Sequence, residues 1–122
     1  MPKRMQRRPV PDPEQVLPLR PVACAVLAAL AERARTGIDV LEAVNATVPG
    51  RPLLGPGTLY RLLRELRQEH LIERTGDVTE GDDRQVHHAL TSFGRVVLTA
   101  ELSRLRRTIT LADRAVPARR GS

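Results

Sequence analysis

The sequence predicts a mainly helical α+β fold in which a helix-turn-helix is followed by a short β-hairpin and a long C-terminal helix. Three observations carry this. Leu59, Leu62, Leu63 and Leu66 recur at i, i+3, i+4 and i+7 and so share one face of a helix. An all-apolar helix and an amphipathic one precede that segment, and two short β-forming runs follow it. From Ser92 the chain reads as helix almost to Pro117. The order is that of a winged helix-turn-helix with a C-terminal dimerisation helix.

A chain of 122 residues fits one small domain with an appended helix. The net charge of +6 favours an anionic partner such as nucleic acid. The excess lies in the ends: residues 1–20 carry +3 and residues 104–122 carry +5, while residues 21–103 carry −2. Cys24 is the sole cysteine, which rules out an internal disulfide and suits a reducing compartment. Its apolar neighbours make it a small buried hydrophobe rather than a nucleophile. The longest apolar run, Val22 to Ala31, is too short to span a membrane. With no signal-peptide pattern at the N-terminus, the expected location is the cytoplasm. Tyr60 and Phe93 are the only aromatic residues, too few for stacking on single-stranded bases.

Residues 1–21 hold six prolines together with Lys3, Arg4, Arg7 and Arg8, and are expected to form a disordered basic arm. Its functional reading is extra phosphate or minor-groove contact. Residues 22–33 favour helix, and the first ten are apolar on every side, the mark of a helix buried all round. A second copy of the chain is one way to cover it. Thr36 can cap the next helix, whose apolar side is Ile38, Leu41, Val44 and Val40, ending near Thr47. Val48-Pro49-Gly50-Arg51-Pro52 is a loop, longer than the usual connection of a helix-turn-helix.

Pro56 starts the Arg-bearing helix, which should run to about His70. Opposite its leucines fall Gly57, Arg61, Arg64 and Gln68. In a DNA major groove arginine reads guanine and glutamine reads adenine. Strands are expected from Leu71 to Arg74 and from Arg84 to Thr91, with Val86 a clear β-former, around an acidic tip at residues 76–83. Thr91 or Ser92 caps the last helix. Phe93, Val96, Val97 and Ala100 form one stripe on it, suited to the chain's own domain. Leu98, Leu102, Leu105, Ile109 and Ala112 form a second, spaced 4, 3, 4, 3, suited to a partner helix. The organisation is therefore an arm (1–21), a winged helix-turn-helix (22–91), a dimerisation helix (92–116) and a disordered tail (117–122).

Together these pieces resemble the PadR family of bacterial winged-helix transcriptional regulators. The carrying residues are Gly37-Ile38-Asp39-Val40, the run Leu54 to Leu66 with its Pro56-Gly57-Thr58-Leu59-Tyr60 core, His70-Leu71-Ile72-Glu73, and Leu90-Thr91-Ser92-Phe93-Gly94-Arg95. The match spans about residues 22 to 112. The resemblance implies a homodimeric repressor that binds double-stranded DNA, with Gly57, Thr58, Tyr60, Arg61 and Arg64 on its recognition helix; the helical wheel adds Gln68. It also implies that the C-terminal helix pairs with the N-terminal one. That agrees with the apolar run holding Val22, Val26 and Leu30 and with the Leu98 seam. Three features depart from the family pattern. Ile38 stands where tyrosine is usual, and His87 and His88 where an aromatic pair ends the wing. The wing tip is acidic, so it repels phosphate and leaves Arg84, at the base, as the wing residue expected near DNA.

No catalytic constellation is present, and no enzyme is expected. Asp82, Asp83, His87 and His88 suggest a metal site on composition alone, but adjacent strand residues point to opposite faces. No metal or cofactor is expected, and no residue is assigned to a small-molecule inducer. The alternative to a DNA-binding regulator is a winged-helix protein-interaction module that has lost DNA binding. The acidic wing favours that alternative, and Arg61, Arg64 and the basic ends oppose it.

Overall fold

The computed structural model describes residues 12–76 and 81–116. In chain order these form α1 (Pro21–Glu32), β1 (Arg35–Thr36), α2 (Gly37–Asn45), α3 (Pro56–Gln68), β2 (Ile72–Thr75), β3 (His87–Leu90) and α4 (Ser92–Ala115). The strands make one antiparallel sheet in the order β1-β3-β2, with Ile72 opposite Leu90, Thr75 opposite His87, and Thr36 opposite His87 on the other side. The architecture is a winged helix-turn-helix carrying a long C-terminal helix.

Local chemistry sets the helix ends. Proline opens α1 and α3, where its missing N–H is no loss. Thr36 caps α2 by accepting from the Asp39 N–H at 3.2 Å, and Thr91 caps α4 by accepting from the Gly94 N–H at 2.8 Å. The last turn of α3 closes with His70 in the left-handed region, at φ 64°. The Leu71 N–H donates to the Leu66 carbonyl and the His70 N–H to the Arg67 carbonyl, each at 3.0 Å, which is a Schellman motif. Asn45 organises the connection between α2 and α3. Its Oδ1 accepts from the Leu53 and Leu54 N–H groups, and its Nδ2 donates to the Leu54 carbonyl. One side chain thus replaces the missing backbone ladder of a long turn.

The core gathers around α1, which packs on α2, α4 and β3. Val26, Leu27, Val40, Leu59, Leu63, Leu71 and Val97 are wholly removed from solvent there. The face of α3 predicted from leucine spacing is the face that is buried.

Several expectations are corrected. Residues 12–20 are not part of a mobile arm: Pro13–Gln15 form a 3-10 turn capped by Asp12, Val16 and Leu17 pack against the core, and Leu19 is buried in it. Apolar residues between the prolines supply the contact that a basic arm would lack. Residues 1–11 and 117–122 lie outside the described residues. Within the chain α1 is buried on one side only; Val22, Cys24 and Ala25 are half-buried and Ala28 is exposed. Ile38 is 45% exposed, because Gly37, Val40 and Val44 define the inward face of α2. Val96 is exposed for the same reason, since Gly94, Val97, Leu98 and Glu101 face inward on α4. Val86 is buried but precedes β3 in a turn, its N–H donating to the Asp82 carbonyl rather than to a strand.

The proposed pairing residues divide. Val26, Leu30 and Leu98 are buried in the chain's own core and so lie beneath its surface. Val22, Leu102 and Leu105 are half-buried, while Ile109 and Ala112 are exposed. Beside them Glu101 is only 1% exposed, and Arg104 pairs with it through Nε at 2.7 Å and Nη2 at 2.8 Å. That pairing holds the Glu101 carboxyl below its ordinary range. Burial, and then the Glu101 charge, push the Cys24 thiol up, in keeping with an unreactive cysteine.

Candidate nucleic-acid interface

Helix α3 presents the site. With Leu59, Leu62, Leu63 and Leu66 buried, Gly57, Thr58, Arg61, Arg64 and Gln68 are all exposed, and Tyr60 is half-buried at the flank. Among the described residues neither Arg61 nor Arg64 forms an ion pair, so both guanidinium forks are open to solvent. The helix start has no side-chain cap, and open space surrounds Gly55 and Gly57. Bare N–H groups at a helix N-terminus suit a phosphate.

The base of the wing lies beside this face. Arg84 is exposed, and its guanidinium is tied to Asp82 through Nε at 2.8 Å. Hydrogen bonds from Arg84 hold the Asp82 carboxyl below its ordinary range, and the same pairing raises the Arg84 guanidinium above its own. Residues 77–80, the rest of the acidic tip, lie outside the described residues.

Asp83 turns inward instead of toward a ligand. Its Oδ1 accepts from Arg67 Nη1 at 2.9 Å and from Arg74 Nη2 at 2.7 Å. Burial pushes its carboxyl up, but the hydrogen bonds and charges of Arg74 and Arg67 outweigh that and hold it below its ordinary range. Its carbonyl accepts from the Gly37 N–H at 3.1 Å and lies 3.1 Å from His88 Nε2. One residue therefore joins the starts of α2 and β3, the end of α3, and β2. His88 is solvent-free and His87 exposed, the opposed placement expected on a strand. Burial holds the His88 imidazole below its ordinary pKa despite Asp83. No three His, Cys, Asp or Glu side chains gather as a metal site among the described residues.

The transcriptional regulator PadR-like family model matches residues 26–100. The chain belongs to that family. The match runs from the middle of α1 into α4 and so takes in α3 and both wing strands. No curated protein matches significantly. Among solved structures, the PadR-like protein is similar to a PadR-like transcriptional regulator from Bacillus cereus, at 18% identity over 87% of this chain and 96% of that one, with a TM-score of 0.65. A PadR family transcription regulator from Clostridium difficile gives 17% identity over 78% and 97%, also at 0.65. RosR of H. salinarum gives 23% over 84% and 99%, at 0.61. Members of the PadR-like family are transcription regulators rather than enzymes. No helix among the described residues is long and apolar enough to cross a membrane.

The sequence alone did not single out Asn45, the Asp83 cluster or Glu101. The Glu101–Arg104 spacing of i, i+3 is a local signal for an ion pair. Asp83 and its arginines are far apart in the chain, and no local pattern marks them.

Proposed function

We propose that this PadR-like protein is a DNA-binding transcriptional repressor that reads an inverted-repeat operator as a homodimer. The observation that carries the reading is the exposed stripe Gly57, Arg61, Arg64 and Gln68, whose two arginines are unpaired while every leucine behind them is buried. Such a helix docks on a core with one face and enters a major groove with the other. Tyr60 and Thr58 flank it within reach of phosphate, and Arg84 adds a contact once it releases Asp82. Two copies would place two reading helices about one helical turn of DNA apart, near 34–36 Å. In this reading residues 22–91 read DNA and residues 92–116 pair the chains. Work of this kind places the protein in the cytoplasm, with the chromosome.

Selection of bound sequences from random duplex DNA tests it. An inverted repeat should be enriched. Arg61→Ala and Arg64→Ala should each lose about 1–3 kcal/mol on the selected duplex where the arginine reads a base, with relaxed preference at that pair. Where it meets phosphate only, binding should weaken evenly and the salt slope should fall by about one unit. A folded double variant with normal operator binding would sink the reading. A protein-interaction module would then lead, and one observation already favours it: the cations at the wing base are occupied by Asp82 and Asp83.

A further inference from the structure

Arg67 and Arg84 border the reading face, and they and Arg74 are each tied to an aspartate. Arg67 is the instructive one. It stands one turn beyond Arg64 and two beyond Tyr60 on the same helical stripe, at the edge of the surface offered to DNA. Yet Nη1 and Nη2 both engage Asp83, at 2.9 and 3.4 Å, and Asp83 also takes Arg74. The Arg67 and Asp83 side chains are only 22% and 12% exposed. The Asp83 backbone is anchored as well, through its carbonyl to the Gly37 N–H. A Cβ on Gly37 would sit 2.3 Å from that carbonyl oxygen, so the two segments are in close contact. A phosphate reaching for Arg67 must therefore displace a part-buried, twice-paired carboxylate that its own backbone holds in place. Arg61 and Arg64 present no such obstacle.

We propose that Asp83 limits sequence-independent DNA affinity, withholding Arg67 from phosphate so that Arg61 and Arg64 carry the reading. The inference rests on the DNA-reading function above. Its physical basis is counterion release. Sequence-independent affinity grows with each phosphate neutralised, whereas base-edge contacts are unaffected by that number. A guanidinium already neutralised by a carboxylate adds little to the generic term. Asp83 thus lowers affinity for every duplex alike and leaves discrimination between sequences to Arg61 and Arg64.

Two probes test it: the duplex enriched by selection and a mixed-sequence duplex, each titrated over a range of salt. Asp83→Asn should bind both duplexes more tightly, with a salt slope steeper by about one unit and the ratio between probes unchanged. Adding Arg67→Gln should bring the slope about one unit back. Arg67→Gln alone should leave the slope at its wild-type value, because the side chain it removes is withheld from phosphate; this variant decides the matter if Asp83→Asn does not fold. A folded Arg67→Gln protein with a slope lower by about one unit would overturn the proposal, since Arg67 would then already meet phosphate. So would a folded Asp83→Asn protein that binds both probes more weakly or at unchanged slope, the sign of a merely structural role. In those cases wild-type binding survives and DNA reading stands; a wild-type protein that binds neither probe would overturn both.

Discussion

A Cβ on Gly94 would sit 2.0 Å from the carbonyl oxygen of Leu71. That carbonyl accepts from the Thr91 N–H at 3.1 Å and from the Thr91 hydroxyl at 3.1 Å, so the start of α4 is pressed onto the segment between α3 and β2. Gly94→Ala should therefore destabilise the fold by about 3 kcal/mol, the upper end of overpacking, as read by denaturant unfolding. His88 makes a second prediction. Its folded pKa lies below the unfolded value of about 6.5, so the unfolded chain takes up the proton first as pH falls. Stability is then lost from about pH 6.5 downward, until the folded pKa is passed. Thermal melts between about pH 7 and pH 5 should show this loss in the wild type and a smaller one in His88→Phe. Asp83 acts in a lower window. Its folded carboxyl pKa is depressed, so its contribution is complete above about pH 4 and is lost as pH falls through the folded value.

At the scale of elements, α3 shows how sequence spacing separates a buried face from an exposed one. Leu63 is wholly buried, so Leu63→Ala should cost about 2–5 kcal/mol of stability. Arg64, exposed and unpaired, should change it by no more than about 0.5 kcal/mol when truncated. Tyr60→Phe should weaken selected and mixed duplexes alike, because a hydroxyl on phosphate carries no sequence information. Unchanged binding would place Tyr60 in packing only. The buried and exposed faces of α3 were legible in advance because a four-leucine period fixes both faces of a helix at once. The caps at Thr36 and Thr91 were legible too, since capping is local chemistry. What escaped depends on distance along the chain. The two-residue strand β1 has too few residues to show an alternation, and it exists because β3 offers it an edge. Strand β3 is shorter than its β-forming run suggests, because the Asp82 turn takes the N–H groups of Gln85 and Val86. Leu19 reads as part of a proline-rich arm, and only its tertiary contact makes it core.

At the scale of the molecule the outstanding question is what covers α4. From Arg106 to Ala115 every residue is exposed, with Ile109 57% and Leu111 68% open to solvent. This is a length of helix of about 15 Å with nothing beside it among the described residues. Isolated helices shorter than about 12–15 residues are marginal in water. Leu105, at the root of the projection, borders an apolar concavity of about 340 Å³ that also includes Cys24, Ala25 and Ala28 of α1. The open side of α1 and the projecting part of α4 are therefore continuous, and a second copy of the chain would cover both together. Wild-type protein is expected to sediment as a dimer at micromolar concentration, with a melting temperature that rises with concentration. Leu105→Asp and Ile109→Asp place a charge on the face a second copy would cover and should yield monomers or unfolding. Arg107→Ala lies on the opposite face of α4 and should leave the assembly unchanged. A folded wild-type monomer whose melting temperature ignores concentration would remove the pairing role from α4, and with it the expectation of an inverted-repeat operator.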